Sequence, residues 1–209
     1  MREVSHRMFA ESKLLFKLWL KNPRKIGAVA VSSPELAASM ARQIPGGDGY
    51  VVELGGGTGP VTRAILESGT SPDRLVVLER DPTLHRVLSE RYPQVKNVLG
   101  DALHLQALLK ERDIHPVKAV VSSLPLLSMK KAVQYGIGAQ AFAVLEPGAP
   151  FIQFTYGLFS PLPHRELGVQ GRVKDRVLQN LPPASVWLYR RPPHGHHDSP
   201  GNTALRRAG

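Results

Sequence analysis

The chain has no cysteine, so it holds no disulfide framework and no cysteine-ligated metal. That absence is compatible with a reducing compartment. Nowhere do eighteen apolar residues run together, so no membrane span is expected. The N-terminus lacks a contiguous apolar core followed by a small-residue cleavage site, so no secretory signal is expected. The 209 residues suit one α/β domain with short additions, large enough for a substantial core.

The middle of the chain also lacks net charge. Residues 26–159 carry twelve Lys/Arg and twelve Asp/Glu, although the whole protein is +10. The excess sits at the two ends. Residues 1–25 hold seven basic against two acidic residues, and residues 160–209 hold eight against three. A neutral core with basic termini predicts that the ends meet an anionic partner.

What is present begins with Val51-Val52-Glu53-Leu54-Gly55-Gly56-Gly57-Thr58-Gly59. A short apolar run ends in an acid and then a glycine-rich turn. A second run, Leu75 to Leu78, ends in Glu79-Arg80, and a third, weaker run leads to Gly100-Asp101-Ala102. Strands of a parallel sheet run apolar because helices cover both faces. Ligands bind at the carboxyl ends of such strands, where the strand order reverses. Glycines let the backbone approach a ligand closely. Glu79 can accept two ribose hydroxyls, Gly100-Asp101-Ala102 can hold an adenine edge, and Glu53 lies where the amino-acid end of a cofactor would sit. This pattern is what S-adenosylmethionine requires. The turn fits G-x-G-x-x-G poorly, which argues against a nicotinamide dinucleotide.

Strands are predicted at 50–54, 74–79, 95–99, 117–122, 150–156 and 185–190, with helices at 60–68, 82–91 and near 102–111. Ser33-Pro34 starts a helix reaching about Gln43, with Ser33 as its N-cap. A neighbour of that positive helix end could also face the cofactor carboxylate. Met8 to Lys21 reads as a helix. Lys13, Lys17, Lys21 and Arg24 form one stripe on it, and Trp19 sits among the apolar residues that fill most of the remaining circumference. A basic helix of this kind suits a membrane interface. Residues 192–209 read as a disordered tail, whose three histidines are solvated, so no metal is expected.

The segment after the fourth strand, Ser122-Ser123-Leu124-Pro125-Leu126-Leu127-Ser128, bears on the substrate. Nucleic-acid amine methylases carry Asn/Asp-x-Pro-aromatic there, to hold an amino group and stack a flipped base. Ser123 stands in place of the amide and Leu126 in place of the aromatic. A wall of Leu124, Pro125 and Leu126 suits an apolar or lipid-like substrate better.

Trp19-Leu20 on a basic helix, Gly27-Ala28-Val29, Ser32-Ser33, the glycine turn, Leu78-Glu79, Gly100-Asp101-Ala102 and S-S-L-P-L-L-S together resemble the soluble bacterial class I phospholipid N-methyltransferases, over about residues 9–191. This resemblance implies a Rossmann-like fold, a mostly parallel seven-stranded sheet with helices on both faces after an amphipathic N-terminal helix at 1–25. It implies methyl transfer from S-adenosylmethionine to the amine of phosphatidylethanolamine, giving phosphatidylcholine and S-adenosylhomocysteine. The setting would be the inner face of the cytoplasmic membrane, at an anionic surface and without an obligate protein partner. Tyr156 and then His164 are candidates to contact the amine or take its proton. Arg190 and Arg191 are candidates for the head-group phosphate. The family is distantly similar to rRNA adenine dimethylases, so a nucleic-acid methylase remains the main rival. A small-molecule amine methylase and a noncatalytic membrane-binding protein are others.

If the N-terminal helix also folds over the cofactor, deleting residues 1–21 will weaken both vesicle binding and S-adenosylmethionine binding. Flotation with anionic vesicles and calorimetric titration of cofactor check this. Loss of vesicle binding alone would exclude the lid role.

Overall fold

A computed structural model describes residues 33–156, 159–178, 180 and 183–192. The predicted helix with Lys13, Lys17, Trp19, Lys21 and Arg24 lies outside the described residues, as does the tail from 193 onward.

The apolar runs form the strands expected of them: β1 (Tyr50–Leu54), β2 (Leu75–Glu79), β3 (Lys96–Leu99), β4 (Val117–Ser122) and β5 (Phe151–Thr155). Two more strands, β6 (Gln170–Val177) and β7 (Ala184–Arg190), complete one seven-stranded sheet in the order β3-β2-β1-β4-β5-β7-β6. The pairs from β3 across to β5 are parallel, while β7 pairs antiparallel with both β5 and β6. Strand order reverses between β1 and β4, where a parallel sheet opens a crevice at its carboxyl edge.

Successive side chains along β1 point to opposite faces. Val51 packs with Val77, Val121 and Ile152 under α1 (Pro34–Ala41), α2 (Pro60–Glu67) and α3 (Pro82–Arg91). Val52 and Leu54 pack with Val76, Val120 and Phe151 under α4 (Leu105–Lys110) and α5 (Lys131–Val144). Burial on both faces is why β1, β2 and β5 are mostly apolar, so the polar residues they do carry call for an explanation.

The helices start where their residues cap them. Ser33 Oγ accepts the Leu36 N–H ahead of Pro34, and Asp81 Oδ1 accepts from Thr83 and Leu84 ahead of Pro82. Two elements were not predicted from the sequence. Helix α5, K-A-V-Q-Y-G-I-G-A-Q-A-F-A-V, is small and apolar nearly all round, so no amphipathic period marks it. Strand β6, Q-G-R-V-K-D-R-V, reads as a solvated charged stretch. It is an edge strand, and its charges and irregular register after Val173 suit an edge that should not recruit another chain. Asp175 of β6 accepts from Ser39 and pairs with Arg42, which fastens this edge to α1.

Phe151 is fully buried and meets the rings of Phe142 and Tyr189 at 6.0 and 6.2 Å. Replacing it with Ala should lower unfolding free energy by about 3–5 kcal/mol, read from urea denaturation.

Candidate functional site

At the carboxyl edge, the sheet's hydrogen bonding continues one residue past the strands. Gly55 N–H donates to Leu78 O at 2.8 Å, and Ser123 N–H donates to Leu54 O at 2.9 Å. The glycine turn is thereby pinned to β2 on one side and to the loop after β4 on the other. A Cβ at Gly56 would lie 2.4 Å from Val77 Cγ1, so this position has no room for a side chain. Gly57, at φ +57°, has open space where a Cβ would project, and so leaves bare backbone at the crevice. Strand and helix are joined at Gly59, at φ +91°, where Tyr92 Oη donates to its carbonyl.

Three acids end the first three strands as the sequence predicted. Glu53 is fully buried, and its Oε2 accepts the Thr62 hydroxyl at 2.7 Å. Its Oε1 is buried with no partner. Burial, assisted by the nearby Glu79 charge and opposed by the Thr62 hydrogen bond, pushes its pKa up from an ordinary 4.5 to about 7. Glu79 accepts the N–H of Gly57 through Oε2 and that of Asp81 through Oε1, both at 2.9 Å. It therefore holds the glycine turn shut while keeping lone pairs for a further donor. Asp101, after Gly100 at the end of β3, caps the turn beginning at Ala102 by accepting from Leu103 N–H at 2.9 Å. Its other oxygen lies 3.4 Å from the guanidinium of exposed Arg80.

The loop after β4 covers the turn. Leu124 Cδ2 would sit 2.8 Å from a Cβ on Gly55. Ser123 Oγ is buried and unpartnered. Leu124 and Pro125 are partly exposed, but Leu126 is 1% exposed and belongs to the core under α5. The predicted wall therefore consists of Leu124 and Pro125 without Leu126, because a short 3-10 turn at Leu126–Ser128 folds that side chain inward. Two glutamine amides hold this loop from below. Gln153 Nε2 donates to Leu124 O at 2.9 Å, and Gln134 Nε2 donates to Leu126 O and Met129 O at 2.8 and 3.0 Å.

Tyr156 follows β5 at the same edge, its ring edge-on to Phe154 at 5.3 Å. Burial raises its phenol pKa, against a hydrogen bond from Asn180. Asn180 Oδ1 accepts the Ser33 N–H at 3.1 Å, so Tyr156 and Ser33 meet through a residue that the sequence reading missed. Nothing local marks Asn180, which acts only once the β6–β7 connection reaches this edge. Gln153 was also missed, although a glutamine within F-I-Q-F-T is a visible anomaly in a strand buried on both faces.

The remaining predicted residues are placed elsewhere. His164 Nδ1 meets Ser160 Oγ at 3.2 Å, and Ser160 meets Tyr189 Oη at 2.7 Å. Tyr189 pairs with Phe151, the first residue of β5, not with its carboxyl end. Because β7 runs antiparallel, Arg190 and Arg191 emerge at the edge opposite the glycine turn, with the Arg191 guanidinium 5.9 Å from the Phe142 ring centroid. Topology thus separates them from the site that the sequence assigned to them.

Among the described residues, no cluster of His, Asp or Glu could hold a metal ion. The edge does fit S-adenosylmethionine. Gly57 leaves backbone bare, Glu79 offers acceptor capacity, and Glu53 presents a buried oxygen with no donor. A cationic or N–H-bearing ligand group would offset what burying such an oxygen costs.

Between pH 4.5 and 7 the folded chain keeps a proton on Glu53 that the unfolded chain has lost. Cofactor-free stability therefore falls as pH rises through that window, by roughly 3 kcal/mol. Glu53→Gln should flatten this dependence, as urea unfolding at about pH 4.5 and about pH 7.5 will read.

No family model matches the chain. It is 35% identical over 181 residues to the ornithine lipid N-methyltransferase of Singulisphaera acidiphila, covering 82% of this chain and 92% of that protein. The ribosomal RNA small subunit methyltransferase A of Chlorobium chlorochromatii is 43% identical over 56 residues, 27% of this chain and 20% of that one. The O-methyltransferase from Bacillus cereus, solved in complex with SAH, matches the fold with TM-score 0.60 at 16% identity, covering 85% of this chain and 89% of that chain. The site, the sheet order and the long match to the first of these agree: the chain is a class I S-adenosylmethionine-dependent methyltransferase and belongs to the family of that bacterial ornithine lipid N-methyltransferase.

Proposed function

We propose that this enzyme methylates the head-group amine of a membrane lipid at the membrane surface. Phosphatidylethanolamine, carried on to phosphatidylcholine, is the substrate that the sequence favours. Ornithine lipid is the alternative that the relative's name brings. The observation that carries the lipid reading is the loop at the end of β4. It has Ser123 and Leu126 where a base methylase needs an amide and an aromatic, and its partly exposed residues include Leu124, Pro125 and Leu127.

Bound S-adenosylmethionine would supply an electrophilic methyl group to an uncharged amine, its sulfur leaving as S-adenosylhomocysteine. The protein's contribution is positioning, which can be worth several kcal/mol of barrier. Leu124 and Pro125 exclude water beside the glycine turn. Glu79 and Asp101 are proposed to fix the ribose and adenine, and Glu53 to face the amino-acid end. Tyr156 is proposed to contact the amine. Burial keeps its phenol protonated, so it meets the amine as an uncharged group. The basic termini, with Lys13, Lys17, Lys21 and Arg24, are proposed to draw the protein to anionic lipid at about 1 kcal/mol per residue. No helix among the described residues is long and apolar enough to cross a membrane.

Purified protein with methyl-labelled S-adenosylmethionine should label phosphatidylethanolamine or ornithine lipid vesicles, increasingly so as anionic lipid is added. The more strongly labelled lipid identifies the head group. Label in a matched RNA sample, with none in either lipid, would overturn the reading and favour the activity named for the ribosomal RNA relative.

A further inference from the structure

Gln153 sits in the middle of β5 with 1% of its surface exposed, among Phe151, Ile152 and Phe154. Its Nε2 is committed to two carbonyls, Leu124 O at 2.9 Å and Phe154 O at 2.8 Å. An amide nitrogen has only two hydrogens, so this use fixes which way the amide faces. The oxygen on its other side, Oε1, is buried and has no partner. One residue before Leu124, Ser123 Oγ is in the same state. Opposite Gln153 on β7, in register, the indole N–H of Trp187 is buried and unpartnered as well. Native interiors rarely leave such groups unmatched. One orphan oxygen is on the loop that stands over the glycine turn, and the other is on the amide that ties that loop to β5.

We propose that Gln153 Oε1 and Ser123 Oγ together form the acceptor pair that receives the N–H groups of the substrate amine. The proposal rests on the lipid-amine reading above. In base methylases the amide that holds the amine stands on the loop itself. Here the loop has only Ser123, its Leu124 carbonyl is taken by Gln153 Nε2, and the amide is supplied from the neighbouring strand. Two uncharged oxygens hold an uncharged amine by its hydrogens and leave its lone pair free to attack. A carboxylate in their place would instead favour the ammonium form, which cannot attack. Trp187 adds a donor next to this pair, suited to an oxygen of the same head group.

The pairing has an arithmetic consequence. A primary amine offers two N–H groups, its monomethyl form one, and its dimethyl form none. The acceptor pair therefore helps the first transfer most and the last not at all.

The test measures turnover on phosphatidylethanolamine and its monomethyl and dimethyl forms in matched vesicles, with S-adenosylmethionine affinity measured separately as a check on folding. Ser123→Ala removes an oxygen that bonds to nothing else, so it leaves the loop intact. Gln153→Met keeps volume and removes the acceptor along with the tie to Leu124. Both should slow the primary amine by roughly tenfold or more, slow the monomethyl form less, and leave the dimethyl form within about twofold. If Gln153→Met does not bind cofactor, Ser123→Ala alone decides by the same gradient. An equal loss on all three lipids, or no loss on the primary amine, overturns the proposal while the lipid-amine reading stands. A wild-type enzyme silent on all three lipids, and on ornithine lipid, overturns that reading and this proposal with it.

Discussion

Two hydrogen bonds just beyond the end of β1 fix the geometry on which the rest of the site depends. The N–H of Gly55 donates to Leu78 O, and Leu54 O accepts from Ser123 N–H. Because β1 lies between β2 and β4, its last peptide groups are claimed from both sides. The chain must therefore turn sharply there, against neighbours that cannot move away. Gly56 carries no side chain because Val77 occupies that space, and Gly55 stands at φ +77°, a backbone conformation that favours glycine. The crevice and the loop that roofs it are two results of one packing constraint.

That constraint also concentrates charge. Glu53 and Glu79 stand at the ends of adjacent strands, so the Glu79 charge adds to burial in disfavouring ionisation of Glu53. Glu79 is stabilised by two backbone N–H groups. Glu53 has one hydroxyl and an oxygen left over. The folded chain thus keeps an electrostatic cost at the carboxyl edge, where S-adenosylmethionine is proposed to bind. Binding energy can relieve a cost of this kind, and the residues that carry it cannot be optimised for stability alone.

Much of this was legible in the sequence, for a definite reason. Runs such as V-V-E-L and L-V-V-L-E announce buried parallel strands because both faces are apolar, and the acid that ends each run marks the carboxyl edge. Elements whose character is set by context were not legible. Helix α5 lies flat on the sheet and shows no polar face. Strand β6 is polar because it is an edge. Glu53, Gly55, Gly57, Glu79, Gly100 and Asp101 could be placed at the carboxyl edge because they end their strands or follow them within a few residues. Arg190, Arg191 and His164 were assigned without the direction of β7, and that direction carries the arginines to the far edge. Asn180 and Gln153 act across long sequence separations, which no local pattern encodes.

Asn180 has a mechanical consequence. A single side chain grips the backbone at Ser33 and the phenol of Tyr156. The start of α1, the end of β5 and the connection between β6 and β7 are thereby coupled at one point. Replacing Asn180 would therefore loosen the first turn of α1 and the ring of Tyr156 together. One amide thus sets the spacing between a helix start and a strand end that lie more than a hundred residues apart in the chain.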